Sequence, residues 1–187
     1  MAVNMKETLQ EYGKYIIGVA IICYFLLSIF FKYNSVLDNI EGSISLTLLF
    51  CYLYAEYIWK YIPIDKTPKI YGDYKAVFIS EYDGKKRNAN ITIKQNLIST
   101  RIYMKTNESK SESTTSTLIK KEDSWQLIYT YTNIPNANER NHSEIHFGTC
   151  ILDIIDNKII NGNYYTDRKT AGDIKNINKI SVLKNKR

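Results

Sequence analysis

Two long apolar runs open the chain, and alternating apolar and polar residues follow them. The first run, YIIGVAIICYFLLSIFF from Tyr15 to Phe31, contains no charge and no proline. The second, from Gly42 to Ile62, carries Glu56 and Lys60 in its last third. A helix needs about 17–25 apolar residues to cross a bilayer core. The pattern therefore predicts two transmembrane helices, at about 13–33 and 42–62. A buried core helix is the alternative for the second run.

The charges around the two runs predict the orientation of the hairpin. The connection KYNSVLDNIE holds one lysine against Asp38 and Glu41, whereas lysines precede and follow the hairpin (Lys6, Lys14, Lys60, Lys66 and Lys69). Loops on the cytoplasmic side of a membrane carry an excess of Lys and Arg. Both termini are therefore predicted in the cytoplasm, and the first run ends without the small-residue site of a cleaved signal peptide.

Beyond Pro63 and Pro68 the helical period disappears and residues alternate with a period of two. Turn-forming sequences such as YDGKKRN, TNES and KKEDS separate the alternating segments. The predicted strands are Gly72–Tyr82, Ala89–Gln95, Leu97–Asn107, Ser109–Lys121, Trp125–Asn133, Ser143–Ile155, Lys158–Thr166 and Ala171–Ile180.

Eight consecutive strands with short links predict an all-β, antiparallel, compact β-barrel. Closing the sheet removes both edges and leaves a centre wide enough for one small ligand. The predicted organisation is a transmembrane helical hairpin over 1–62, a cytosolic β-barrel ligand-binding domain over 63–180 and a basic tail over 181–187.

The position of charged residues predicts which face of each strand points inward. Between Ser109 and Ile119, one alternate row holds hydroxyls and the other holds Lys and Glu. Charges prefer water, so the hydroxyl row is predicted inside. The predicted inner rows are Ser109, Ser111, Ser113, Thr115, Thr117 and Ile119; Leu127, Tyr129, Tyr131 and Asn133; and Ile160, Gly162, Tyr164, Thr166 and Arg168.

An interior of this kind has to satisfy many hydroxyl groups. Each costs about 1–3 kcal/mol if it is buried without a hydrogen-bond partner. A polar, partly aromatic ligand cavity meets this requirement. The alternative is an internal hydrogen-bond network that holds no ligand.

Composition narrows the function further. The chain has a net charge of +6, and from Lys60 onward 22 Lys and Arg stand against 14 Asp and Glu. A basic domain attracts anionic lipid headgroups or a phosphate-bearing ligand. Cys23 and Cys51 lie in the apolar runs and Cys150 in a predicted strand, which indicates a reducing compartment and no disulfide framework.

Neither a metal site nor a catalytic site is predicted. His142, His146 and Cys150 are four residues apart, which on a strand separates them by about 13 Å each. The sequence shows no glycine-rich phosphate loop, no Ser-His-Asp order and no pair of catalytic carboxylates, so an enzyme with a cofactor is not expected. Sixteen tyrosines, together with Arg, can stack on nucleobases and hold phosphates. The alternative explanation for the many tyrosines is that β-strands favour this residue whatever the function.

Six segments, together with the two-helix N-terminus, resemble the two-transmembrane, β-strand-rich effectors of CBASS antiphage defence, the SMODS-associating effector family. The segments are YGDY (71–74), ITIKQ (91–95), KTNESKSESTTSTL (105–118), LIYTYTNIP (127–135), HFGT (146–149) and GNYYTDRKTAGDI (162–174). The six segments occur in this order along the chain. Together with the two-helix N-terminus, the resemblance covers nearly the whole chain.

The resemblance implies a cyclic di- or trinucleotide ligand, made by a partner nucleotidyltransferase (a CD-NTase) after phage infection. It also implies that ligand binding promotes self-association into homo-oligomers. Clustered helices would then disrupt the bacterial inner membrane and kill the cell. A DNA or RNA polymer is not expected as a partner.

This hypothesis assigns roles to ten residues. Arg168 and Arg101 would neutralise phosphate charge, with Arg168 favoured because it shares the inner row. The tyrosines would stack on or hydrogen-bond to bases, and the remaining residues would supply directional polar contacts. The predicted ligand-binding residues are Tyr74, Arg101, Ser111, Ser113, Tyr129, Tyr131, His146, Tyr164, Thr166 and Arg168.

Two other functions stay open. A lipocalin-like, membrane-tethered carrier of a small apolar ligand would need an aliphatic inner face. A purely structural membrane protein would assemble through its barrel without any ligand.

Overall fold

The computed structural model describes residues 5–31, 35–62 and 66–180. They belong to two compact units, which divide between Asp65 and Lys66. The predicted basic tail at 181–187 lies outside the described residues.

The first unit is a helical hairpin. Helix α1 covers Met5–Phe31 and helix α2 covers Val36–Leu53, continuing as a π-helical turn over Tyr54–Ile58. Helix α2 starts six residues before the predicted position 42. Ser35 explains the early start, because its Oγ accepts a hydrogen bond from Leu37 N at 3.0 Å and caps the helix. Most of the predicted connection is therefore helical.

A row of polar residues of α2 lies inside the hairpin. Asn39, Ser43 and Thr47 are buried at successive turns of α2. Ser43 Oγ donates to Asn39 O at 2.6 Å, and Thr47 Oγ1 donates to Ser43 O at 2.7 Å. Each hydroxyl is thus satisfied within its own helix.

The outward side chains of the hairpin are large and apolar; Phe30 is 74% exposed and Leu48 is 65% exposed. The helices are long and apolar enough to cross a membrane over Tyr12–Phe30 and Val36–Ile58. A core helix of a soluble protein buries its large apolar side chains. The hairpin therefore has the character of two membrane spans.

The second unit is a closed barrel of eight antiparallel strands, as predicted. Each strand pairs with the next, and β8 pairs with β1. The strands are β1 Gly72–Ser80, β2 Lys86–Gln95, β3 Thr100–Lys105, β4 Ser109–Lys120, β5 Trp125–Pro135, β6 His146–Ile155, β7 Lys158–Thr166 and β8 Ala171–Lys179. A single 3₁₀ turn, Ala137–Glu139, lies between β5 and β6.

The two ends of the barrel differ in chemistry. The apolar end contains the links after β2, β4 and β6, and its interior is packed with buried aliphatic side chains (Ile70, Ile93, Leu127, Leu152 and Ile154). The polar end contains the links after β1, β3, β5 and β7. Its inward residues include Ser111, Asn133 and His146, which are buried as well.

The inner row predicted for β5 is confirmed, since Leu127, Tyr129, Tyr131 and Asn133 are all buried. The row predicted for β4 is right as far as Ser113 and wrong beyond it. A β-bulge lies between Ser113 and Thr115, and it turns Thr115 and Thr117 outward and Ser116 and Leu118 inward. One extra residue in a strand exchanges the two faces of everything after it.

A second bulge alters β7 in the same way. The register shifts opposite Asp153 and Ile154, so Ile159 is buried at 4% exposure and Ile160 is 48% exposed. The prediction that Ile160 points inward is therefore wrong. Gly162 on the same strand is buried as predicted, and it lies against Leu152 of β6.

Side chains close one seam of the barrel wall. Strands β3 and β4 pair over only three residue pairs, from Tyr103–Glu112 to Lys105–Lys110. Beyond them, Ser113 Oγ accepts from Ile102 N at 2.9 Å, and Ser116 Oγ donates to Thr100 O. Two serine hydroxyls thus replace backbone hydrogen bonds at this seam.

Ser113→Ala should lower the free energy of unfolding by about 1–3 kcal/mol, because it leaves the buried Ile102 N–H without a partner. Urea unfolding of the full chain in detergent micelles measures this change. Ser99→Ala, on an exposed turn, is the matched control and should have little effect. Equal stability of the two variants would show that the hydroxyl does not hold the seam.

Candidate ligand-binding site

Strand pairing brings most of the predicted site residues together at the polar end. Ser111, Asn133 and His146 are partners across β4, β5 and β6. One layer deeper, Tyr131 pairs with Gly148, which pairs with Thr166. We call the polar mouth the set formed by Ser111, Tyr131, Asn133, His146, Tyr164, Thr166 and Arg168.

Arg168 lies in the turn between β7 and β8, just beyond the end of the strand, and it is exposed at the rim of the barrel. The prediction that it belongs to the inner row of β7 is therefore wrong. Arg168 Nη1 donates to Ser143 Oγ at 3.2 Å, and its Nη2 lies 3.4 Å from His146 Nε2. The other ring nitrogen of His146, Nδ1, lies 3.0 Å from Glu144 O. A carbonyl can only accept, so Nδ1 carries the hydrogen and Nε2 accepts from Arg168.

This environment keeps His146 neutral. Burial lowers the pKa of His146 below its ordinary value, and the Arg168 cation lowers it further. The hydrogen bond to the Glu144 carbonyl raises the pKa; its effect is smaller than that of burial and larger than that of Arg168.

Within the described part of the chain Arg168 makes no direct ion pair, although the Asp167 carboxylate precedes it in the same turn. Among residues 66–180 the ion pairs involve Arg87 and Lys175, and Arg168 forms none. Arg87, by contrast, contacts carboxylate oxygens of Asp83 and Glu108, each at 2.8 Å. A guanidinium whose partners are a hydroxyl and a neutral imidazole stays available for an anion.

Aromatic side chains line the mouth. The rings of Tyr129 and Tyr131 have centroids 6.0 Å apart, and the Tyr164 ring lies 5.5 Å from that of Phe78. Gly148 permits this arrangement, because a Cβ there would overlap the Tyr131 ring. Burial raises the pKa of Tyr131 and Tyr164, so their hydroxyls stay protonated and can donate.

Inner hydroxyl groups pair with one another, which corresponds to the network alternative stated above. Ser111 Oγ donates to Asn133 Oδ1 at 2.8 Å, and the hydroxyls of Thr166 and Thr170 lie 2.6 Å apart. Tyr129 bonds to the thiol of Cys150, and burial raises the pKa of that thiol to about 12. The centre of the barrel is therefore filled, and a ligand would first contact the rim.

Two openings on the surface lie elsewhere. One, of about 300 Å³, is at the apolar end beside Lys66 and Trp125. The other, of about 450 Å³, crosses the outer face of β2 to β4 beside Tyr103 and Lys110. Carboxylates that repel a phosphate line both of them; they are Glu122, Asp123 and Asp156 in the first and Glu112 in the second. For this reason we favour the polar mouth.

The structure does not bring four predicted residues into the mouth. Tyr129 lies deeper in the barrel, where it is buried and bonded to the Cys150 thiol. Tyr74 lies at the apolar end, where its hydroxyl donates to Ile70 O at 2.8 Å and burial raises its pKa to about 12. Arg101 is exposed on the outer face of β3, opposite Lys94. Ser113 is held at the seam described above.

Sequence reasoning left three residues at this end without a role. Asn133 was placed in the inner row, but it was not assigned to the site. Arg87 could have been found, because it alternates with the buried Ala89 and Ile91. No periodic signal marks Ser143, since it lies in the long link before β6.

Comparison with known proteins gives two matches. The sequence model of the Cap15 cyclic dinucleotide receptor domain matches residues 65–177, more than half of the chain. CD-NTase-associated protein 15 of Staphylococcus schleiferi is 28% identical over 145 residues, covering 74% of this chain and 78% of that protein.

Folding should be weakened by acid through His146. The pKa of His146 is lowered in the folded state, so the unfolded chain binds the proton more readily. The contribution of neutral His146 to the stability of the fold is therefore full above pH about 6.5 and falls as the pH drops below that value. The melting temperature of the wild type should therefore drop more between pH about 7.5 and about 5.5 than that of His146→Asn. Parallel curves for the two proteins would contradict this assignment.

Proposed function

The chain belongs to the Cap15 cyclic dinucleotide receptor family, and we propose that it is a membrane-anchored effector of bacterial antiphage defence whose barrel binds a cyclic oligonucleotide at the polar mouth. The observation that carries the proposal is Arg168, which forms no ion pair within residues 66–180 and whose hydrogen-bond partners are the hydroxyl of Ser143 and the neutral ring of His146. Such a site suits an anion that also presents flat rings.

In the proposed complex, Arg168 binds a phosphodiester of the ligand. Charge-assisted hydrogen bonds to phosphate are about twice as strong as neutral ones. Tyr131 and Tyr164 then stack on or donate to the bases. Ser111, His146 and Thr166 supply the directional contacts that distinguish one base from another.

The turn that holds Arg168 carries a second cation in an unusual conformation. Lys169 has φ of 59°, in the left-handed region that favours glycine. Backbone strain of this kind, of about 1–3 kcal/mol, persists where the surroundings impose it and is common at functional sites. Two adjacent cations on one turn support an anion-binding role for it.

Ligand binding has to rearrange the mouth, because Tyr131 is buried and the inner hydroxyls are already paired. We propose that this rearrangement favours association of several copies into homo-oligomers. Clustering of the attached hairpins would then disrupt the bacterial inner membrane and cause cell death.

The helical hairpin supports the membrane part of the proposal, because its exposed side chains are large and apolar and its polar residues Asn39, Ser43 and Thr47 are buried. The lysines flanking it favour cytoplasmic termini, where a nucleotidyltransferase releases its product. The name of the Staphylococcus relative associates that protein with a CD-NTase. In this proposal the chain is a receptor, without catalysis or a cofactor of its own.

A carrier of apolar ligands is less well supported. The aliphatic side chains of the barrel are packed against one another at the apolar end, where Leu127, Leu152 and Ile154 have no exposed surface. The mouth itself is polar.

Binding is tested by titrating the full chain in detergent micelles with cyclic di-AMP, cyclic di-GMP, cyclic GMP–AMP and cyclic tri-AMP. Arg168→Ala should weaken binding of the recognised nucleotide about 10- to 100-fold, since a hydrogen bond to a charged group contributes about 1.5–3 kcal/mol. Arg101→Ala, on the outer wall, is the matched control and should bind as the wild type does. The proposal fails if none of the four nucleotides binds.

Membrane disruption is tested by dye release from vesicles that contain anionic lipids and the reconstituted full chain. The recognised nucleotide should trigger release from wild-type vesicles, and Arg168→Ala should need about 10- to 100-fold more of it. Release that is equal with and without nucleotide would instead support a purely structural assembly protein.

A further inference from the structure

The outer wall of the barrel differs between its two halves. Strands β1 to β3 present exposed cations outward (Lys75, Lys86, Lys94, Arg101 and Lys105). On β5 and β6 the outward positions include one charged residue, Asp153, whose carboxylate accepts from Gln126 Nε2 at 2.9 Å. We call the neutral wall the outward faces of β5 and β6 together with Asn161–Tyr165 of β7.

The neutral wall carries apolar side chains that the barrel itself does not cover. Phe147 is 61% exposed and Tyr165 is 51% exposed. Ile128 and Ile151 are direct partners across β5 and β6, and both are half-buried. Together they form a continuous surface across three strands on which Asp153 is the single charged residue.

We propose that the neutral wall is the surface on which a second copy of this chain docks. The inference rests on the proposed function, in which ligand-bound copies associate. Two copies of this basic barrel repel each other wherever their lysine-rich halves meet. Contact through the neutral wall brings the barrels together and keeps those halves apart.

The size of the wall suits a weak contact that needs a ligand. Strands about 4.8 Å apart with a rise of about 3.3 Å per residue form a face of roughly 14 by 30 Å, which is about 400 Å² in flat projection. The outward side chains increase its accessible area beyond this projection. The result lies below the about 800 Å² that each partner buries in a standard complex and is in the range of transient contacts.

The neutral wall is directly linked to the polar mouth. Phe147 N donates to Asp167 Oδ2 at 3.1 Å, and Asp167 N donates to Phe147 O at 3.0 Å. Asp167 precedes Arg168, and Phe147 follows His146. A ligand that fixes Arg168 and His146 therefore also fixes the segment that presents Phe147 outward, which provides a reason for ligand-dependent docking.

The test compares Ile151→Lys with Val77→Lys in the full chain in detergent micelles. Both residues are β-branched, half-buried and outward-facing, but Val77 lies on the charged half. With the recognised nucleotide from the panel above, sedimentation should show association weakened at least about tenfold in Ile151→Lys and unchanged in Val77→Lys. Equal association of the two variants overturns the inference.

A measurement on the unmodified protein guards against loss of folding in the variant. Raising salt from about 0.1 to about 0.5 M screens repulsion between the basic barrels, so association through the neutral wall should stay constant or strengthen. With the nucleotide at a concentration that saturates the protein at both salt concentrations, association weakened about tenfold by salt would indicate contact through charges and would overturn the inference.

The two proposals fail in different ways. If the wild type and Ile151→Lys bind the nucleotide equally and also associate equally, the docking surface is wrong and the receptor function stands. If the wild type binds no nucleotide of the panel, the receptor function fails, and with it the premise of ligand-driven docking.

Discussion

Every polar group that points into this barrel needs a hydrogen-bond partner, and much of the structure follows from that requirement. Ser111 is paired with Asn133, Tyr129 with Cys150, and Ser113 with a backbone amide of β3. Because a buried hydroxyl without a partner is costly, such groups are concentrated at one end of the barrel and aliphatic side chains fill the other. The same rule shapes the helical hairpin, where Ser43 and Thr47 bond to their own backbone.

Against this background of satisfied groups, Arg168 is an exception. Arg87 forms ion pairs with Asp83 and Glu108 and so connects the link after β1 to the link after β3. Arg168, in contrast, has Ser143 and the neutral His146 as its hydrogen-bond partners. The Arg168 cation and the hydroxyl and imidazole groups beside it lie together at the turn between β7 and β8, at the rim of the barrel. This is the part of the barrel at which we propose that an anionic nucleotide binds.

The sequence was sufficient to predict the architecture because alternation and turn residues are local signals. Eight strands, their order and the inner row of β5 all follow from them. The reversals after Ser113 and at Ile160 could not be predicted, since a bulge depends on how two strands fit together. The contact between Arg168 and His146 joins residues 22 positions apart and likewise requires the folded register. Tyr74 and Arg101 matched a residue type, but the fold places them elsewhere.

A barrel wall is one strand thick, so consecutive residues of β6 serve different neighbours. His146 belongs to the mouth and Phe147 to the outer surface, and they share a single stretch of backbone. In the proposed arrangement, a substitution that shifts this backbone to suit another messenger also shifts the surface offered to a second copy. Evolution could then not adjust messenger choice and partner contacts separately. A lineage that changed its nucleotide would have to keep the geometry of Phe147 constant, or rebuild the contact between copies at the same time.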